Sequence, residues 1–343
     1  MTQGQDLERA ESAGFDELAA EAPALRERID RFRAALGRFF VGKQRLVDLM
    51  TVAAVAQEPL LLVGPPGTAK SDLVLKFKDA LRLSDEDYFE YMLTRFTEPS
   101  EVMGPIDVSL LREGRWVRRE RGKLPTARLV FLDEIFKSNS AILNALLTVI
   151  NERKFYQDGV PTPVKLRILF AATNEIPEHG ELAALKDRFC LKAACRPVED
   201  DRFLELVDAG LALSTDRDLG RKPWAEGHAS LADLVKAHRY LSMRMSRRET
   251  APDGRELKDR DLFFREELLH ELRRVIRTLV REDGVFVSDR KIVKLYKLVR
   301  AHAWVLGGGV VERRDLSLLA YLGETREQID VLEEKVPRLL GLA

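Results

Sequence analysis

The chain predicts an α/β fold, a parallel sheet sandwiched by helices and followed by an α-helical domain. Three observations carry that prediction. The apolar run Leu60-Leu61-Leu62-Val63 leads directly into Gly64-Pro65-Pro66-Gly67-Thr68-Ala69-Lys70-Ser71, the order strand, glycine-bearing loop, helix. Four more apolar runs, at 88–93, 129–132, 166–171 and 189–193, alternate with helix-period segments, as in a parallel sheet covered on both faces. After Pro197 the strand signals stop and helical patterns continue to Ala343.

Taken in order, residues 1–22 are polar, acidic and alanine-rich, and are expected to be a disordered leader. Leu25, Ile29, Phe32, Leu36, Phe39 and Phe40, within 24–49, predict a helix running into Val41-Gly42. Helices are predicted at 71–83 and 141–150, the latter with Ile142, Leu143, Leu146, Leu147 and Ile150 on one face. Polar stretches at 214–228 and 249–259, with Asp-Leu-Gly-Arg-Lys-Pro and Ala-Pro-Asp-Gly, read as loops or linkers. The resulting division is a leader at 1–22, an α/β core at 23–197, and a helical domain at 198–343 with a polar insertion near 214–262.

Lys+Arg and Asp+Glu balance at 56 each in 343 residues, so bulk charge makes no case for nucleic acid or acidic membranes. No apolar run approaches a membrane span, and the N-terminus lacks a signal peptide's basic start and apolar core. A cytoplasmic protein without membrane insertion is expected. Cys190 and Cys195 are too few for a disulfide scaffold and read as buried thiols.

The glycine-bearing loop carries the first chemistry. Between a buried strand and a helix, its backbone N–H groups and the helix N-terminus face an anion. Lys70 would reach the β- and γ-phosphates of a nucleotide, and the Ser71 hydroxyl would ligate Mg²⁺. Ala69 stands where glycine is usual, and fits if that position keeps ordinary helical dihedrals. Asp133 and Glu134 end the apolar run 129–132, where one acid would hold Mg²⁺ and the next would orient or deprotonate water. Asn174, after another apolar run, is placed to contact that water or the γ-phosphate; its alternative is a turn residue ahead of Pro177. Arg188 is either an arginine finger or an exposed partner of Asp187. Arg290, in the first turn of a helix capped by Ser288, is either a phosphate contact or part of a solvated basic face.

Together these segments resemble AAA+ ATPases, and within them the MoxR family. Gly-Pro-Pro-Gly-Thr-Ala-Lys-Ser is similar to that family's phosphate loop, and 93–105 to its region after the second strand. The segments 131–137 and 141–153 resemble the RavA branch, and Ala172-Thr173-Asn174-Glu175, Asp187-Arg188-Phe189 and Ser288-Asp289-Arg290 continue the likeness. The resemblance covers about residues 25–335. It implies Walker A at Lys70 and Ser71, Walker B at Asp133 and Glu134, sensor 1 at Asn174, the arginine finger at Arg188 and sensor 2 at Arg290. It also implies adenine contacts near Val41-Gly42, an insert at about 97–118 and a hairpin at about 154–165 that turns at Tyr156-Gln157-Asp158-Gly159. Trp116, in the insert, is read as a packing residue.

What the resemblance implies functionally is Mg²⁺-dependent hydrolysis of ATP in a ring homo-oligomer, a hexamer by family precedent, with ATP between subunits. Hydrolysis would change the angle between core and lid through Arg290. The implied partner carries a von Willebrand factor A domain; the C-terminal domains through which RavA proteins bind their partner have no counterpart in 1–343. Two alternatives stand beside it. A DNA motor would use Arg112, Arg115, Arg118 and Arg119, which Glu113 and Glu120 dilute. An ATP-gated scaffold would lack Glu134 or Arg188, and both are present.

Overall fold

The computed structural model describes residues 3–157, 159–177 and 182–342. Helices α1 (Gln3–Ser12), α2 (Phe15–Gly37) and α3 (Gln44–Ala56) lead to β1 (Leu60–Val63) and α4 (Lys70–Ala80). Next come β2 (Tyr88–Met92), the short α5 (Pro99–Met103) and α6 (Val108–Arg112), then β3 (Leu129–Asp133) and α7 (Ser140–Glu152). A hairpin of β4 (Lys154–Gln157) and β5 (Val160–Pro163) precedes β6 (Ile168–Thr173), α8 (Ala183–Arg188) and β7 (Leu191–Ala194). The remainder is α9 (Phe203–Asp218), α10 (Leu231–Ser246), a small hairpin β8 (Glu249–Thr250) and β9 (Glu256–Leu257), and α11 (Asp259–Phe263). It closes with α12 (Glu266–Glu282), α13 (Asp289–Gly307), 3-10 turns at Arg313–Leu322 and α14 (Arg326–Leu339).

Five parallel strands pair in the order β2-β3-β6-β1-β7, as the alternation of strands and helices predicts. Successive strand residues point to opposite faces, so each strand feeds two apolar layers. Leu60, Leu62, Phe131 and Phe170 face α2, α3 and α4, where Phe32, Phe77 and Phe170 stack edge to face at 5.1 and 5.3 Å. Leu61, Val63, Val130 and Leu132 face α7 through Ile142, Leu146 and Val149. The first layer does not stop where the strands do. Val235 and Leu241 of α10 and Leu295 and Trp304 of α13 belong to the same apolar cluster as β1. Among the described residues no helix is long and apolar enough to cross a membrane.

Several expectations are corrected. The leader, apart from residues 1–2 outside the described residues, is helical rather than disordered. Leu7, Ala10 and Leu18 are buried, α1 packs on α10, and the Arg239 guanidinium donates to the Ala13 carbonyl at 2.7 Å. Those apolar positions are too sparse to announce a core, but α10 supplies the surface they need. The helix expected within 24–49 begins earlier, at Phe15, and ends at Gly37, leaving Val41-Gly42 in a turn. Residues 214–218 continue α9 instead of forming a loop, and 249–257 pair as β8 and β9. The 154–165 hairpin forms, with Asp158 at its tip outside the described residues, and Ala343 also lies outside them.

Candidate functional site

The loop 64–71 leaves β1 at the sheet's carboxyl edge. Gly64 is dictated by packing, because a Cβ there would stand 2.2 Å from the Cys195 carbonyl oxygen beyond β7. Gly67 has φ +82°, and Ala69 adopts φ 64°, ψ 24°. The expectation that Ala69 keeps ordinary helical dihedrals is therefore overturned: the chain enters α4 through a left-handed residue. The buried Thr68 hydroxyl braces this turn by donating to the Pro65 carbonyl at 2.9 Å, while Pro65, Pro66 and Gly67 are exposed.

Lys70 opens α4 and is buried. Its ammonium donates to the carbonyl oxygens of Gly64 (2.6 Å) and Pro65 (3.0 Å) and to Oδ1 of Asn174 (3.1 Å). Asn174, just past β6, donates through Nδ2 to Oε1 of Glu134. Glu134 is buried beyond β3 in a left-handed conformation (φ 52°), with Lys137 3.1 Å from its carboxylate. Its backbone N–H donates to Oδ1 of Asp133 at 2.8 Å. Lys70, Asn174 and Glu134 thus form a continuous polar chain across the ends of β1, β6 and β3, adjacent strands of the sheet. Ser71 lies in the same helical turn as Lys70, and Asp133 ends β3 half-buried.

This edge fits a magnesium-bound triphosphate. A helix N-terminus and a primary ammonium favour the anion. Ser71 and Asp133 would be the protein donors to Mg²⁺, an ion that keeps most of its shell as phosphate and water oxygens.

Val41 and Gly42 line a neighbouring cleft with Lys43, Ala194, Glu199, Arg202 and Tyr321. Ala194 ends β7, the strand beside β1, which sets this cleft against the phosphate loop. Lys43 is buried and donates to the Arg196 carbonyl; burial holds its pKa below the usual lysine range, against the pull of Cys195.

Arg188 and Arg290 do not join the cluster. Arg188 closes α8 ahead of β7, and residues 57–59 precede β1, so both mark the edge where the parallel strands begin. Arg188 and Arg290 line an open cleft there, with Arg153, His238, Lys294, Lys297 and Glu58 among its walls. A four-residue strand is roughly 13 Å long, which separates the arginines from the phosphate loop of their own chain. A link from Arg290 to nucleotide held by the same subunit is corrected accordingly. Arg188 pairs with Asp187 at 3.1 Å, yet its Nε is buried without a partner.

The two arginines are bracketed together. Lys192 of β7 and Lys291 of α13, both buried, meet one carboxylate oxygen of Glu324 at 3.2 and 2.7 Å. Ser288 adds a 3.4 Å hydrogen bond to Asp187. Burial pulls Lys192 down to about 8 despite Glu324. Burial would raise Glu324, but the two ammonium groups outweigh it and hold it below the usual carboxylate range.

A family model described as the MoxR domain in the MoxR-vWA-beta-propeller ternary systems matches residues 27–233, and an AAA lid domain model matches 266–336. The chain belongs to the MoxR family of AAA+ ATPases. Chaperone MoxR1 of Mycobacterium tuberculosis is 29% identical over 188 residues, 53% of this chain and 47% of that protein. Uncharacterized protein MJ0812 of Methanocaldococcus jannaschii is 30% identical over 296 residues, 86% of this chain and 70% of its own length. The crystal structure of an ATPase candidate from Cytophaga hutchinsonii matches with TM-score 0.68 and 16% identity, covering 96% of this chain and 99% of that one; it shows the fold.

In this MoxR-family chain, sequence reasoning missed Lys43, Arg153, His238 and the Lys192–Glu324–Lys291 bracket. Lys43 follows Val41-Gly42 and was within reach of that reading. Glu324 gives no local signal, since its partners lie 132 and 33 residues away. Trp116 is 55% exposed, which corrects the packing reading; it projects from a segment whose arms are tied by Asp107 N–H to the Val117 carbonyl and Arg119 N–H to the Pro105 carbonyl, both 2.8 Å. Cys190 and Cys195 are buried and free, and burial pushes their thiols up to about 12 and about 11, leaving them inert.

Proposed function

We propose that the chain hydrolyses ATP with Mg²⁺ as a ring homo-oligomer, most simply a hexamer, and remodels or activates a partner bearing a von Willebrand factor A domain. In this reading Val41 and Gly42 border the adenine and the 64–71 loop holds the phosphates. Ser71 and Asp133 hold Mg²⁺, which when bound neutralises charge on the phosphate oxygens. Lys70 already spends its three N–H donors on Gly64, Pro65 and Asn174. Arrival of the γ-phosphate draws the ammonium away from Asn174, and the freed amide can then orient water for Glu134, the general base. Arg188 and Arg290 of the next subunit stabilise charge on the transferring group.

One observation carries the reading: the hydrolytic groups occupy one edge of the sheet and both arginines the other. A complete site then arises only where unlike edges of two copies meet, a heterologous contact that closes into a ring. The von Willebrand factor A partner draws support from the match to the MoxR domain of MoxR-vWA-beta-propeller ternary systems. The RavA-like placement rests on the motifs alone.

The test mixes two inactive variants. Glu134→Gln and Arg188→Ala should each turn over slowly alone. Mixed in equal amounts they should regain about a quarter of wild-type turnover, since one interface in four pairs an intact Glu134 with an intact Arg188. No recovery in a mixture shown to co-assemble would refute the shared site.

A further inference from the structure

Helix α9 is sixteen residues long and contains no buried residue. Leu204 is 75% exposed and Leu211 65%, and with Val207 they recur at i, i+3 and i+7 on one face, beside Asp208. Helices in proteins owe most of their stability to packing such a face, and among the described residues the one element this helix packs on substantially is the turn that precedes it. A second exposed apolar group lies at the start of α13, where Phe286 precedes the helix and Ile292 and Val293 follow Arg290 in its first turns.

The two surfaces complement each other in charge. α9 carries Glu205, Asp208, Asp216 and Asp218 against the single base Arg217, whereas on the other surface exposed Arg290 and Lys297 outweigh the one acid there, Asp289. Their positions are also those that a head-to-tail contact needs. Arg202, immediately before α9, lines the Val41-Gly42 cleft, and Arg290 lines the arginine cleft.

We propose that α9 is a docking helix between subunits: its Leu204-Val207-Leu211 face packs on Phe286, Ile292 and Val293 of a second copy of this chain. That contact carries the second copy's Arg188 and Arg290 to the nucleotide. The inference rests on the shared-site reading above and adds the surface that builds it. A second copy is the occupant because the helix leaves the nucleotide cleft and finds its apolar and charge complement on the same chain.

The experiment uses the full chain with Mg²⁺ and ATP. The double variant Leu204→Asp, Leu211→Asp changes only exposed side chains, so its melting temperature should match that of the wild-type monomer. By sedimentation velocity it should remain monomeric where the wild type assembles. Its turnover should fall by about a thousandfold, the loss expected when a trans arginine is withdrawn, while a fluorescent ATP analogue still binds. In an independent arm, a Leu211→Cys copy mixed with a Val293→Cys copy should form an intermolecular disulfide on oxidation; Cys190 and Cys195 are buried and do not compete. Assembly and turnover of the double variant at wild-type levels would overturn the proposal, as would assembled rings without the cross-link. A double variant that assembles normally but no longer binds a von Willebrand factor A domain would overturn it too, since the helix would then serve that partner. If the wild type itself stays monomeric with ATP, the shared-site reading fails first and this inference with it.

Discussion

Replacing Ala69 by glycine should stabilise this protein, although Ala→Gly at a helix start ordinarily does the reverse. Ala69 sits at φ 64°, ψ 24°, one residue ahead of α4. A left-handed conformation costs an L-residue about 1–2 kcal/mol, and glycine removes that cost. Against it stands the larger freedom of glycine in the unfolded chain, about 0.4–1 kcal/mol. The difference leaves Ala69→Gly more stable by about 0.5–1 kcal/mol. Urea unfolding reads this directly, with a higher midpoint at unchanged slope. Ala69→Val should move the other way, because a β-branched side chain tolerates positive φ worse than alanine. ATP affinity of the glycine variant should stay near wild type, since the loop path is already the one glycine would take. A loss of stability near the ~1 kcal/mol of an ordinary helical Ala→Gly change would refute the left-handed assignment and the strain argument together.

Two further perturbations probe the arginine edge. His238 donates through Nδ1 to the Val55 carbonyl at 3.0 Å, and burial, reinforced by Lys297, Arg153 and Arg167, lowers its pKa to about 4. Between pH 6.5 and 4 the unfolded chain therefore binds a proton that the folded chain refuses, so stability falls on acidification through this window, by about 2 kcal/mol after allowance for partial exposure. His238→Gln should flatten that part of the pH–stability curve; an unchanged slope in urea titrations would contradict the shift. Glu324→Gln should lower turnover while leaving the KM for ATP unchanged, because it loosens Lys192 and Lys291 and with them Arg188 and Arg290, far from the phosphate loop. Glu324→Asp should restore part of the rate, and wild-type kinetics in the glutamine variant would remove the bracket from function.

Local chemistry was readable where one short segment carries it whole. Leu60–Val63 followed by 64–71 announces strand, phosphate loop and helix, because strand burial and loop geometry both lie within a dozen residues. The apolar runs ending at Asp133 and Asn174 are read the same way, and the sheet brings their ends together as adjacent strands. Reading fails where burial is conferred by a distant surface. Leu7, Ala10 and Leu18 look like scattered residues of a polar leader until α10 covers them. Ala69 shows the other failure: a methyl side chain is compatible with either sign of φ, so only the path of the backbone decides it.

From its sequence alone this chain determined an alternating α/β architecture, a nucleotide-type loop, and acids and amides at strand ends, since each follows from residues adjacent in the chain. Tertiary structure decided which of those residues face one another. It joined Lys70 to Glu134 through Asn174, buried Lys192 and Lys291 against Glu324, and sent Arg188 and Arg290 to the opposite edge. The physical reason is that parallel strands gather their carboxyl ends on one side and their amino ends on the other, so a residue's place before or after its strand, summed over the whole sheet, sets the side on which it can act.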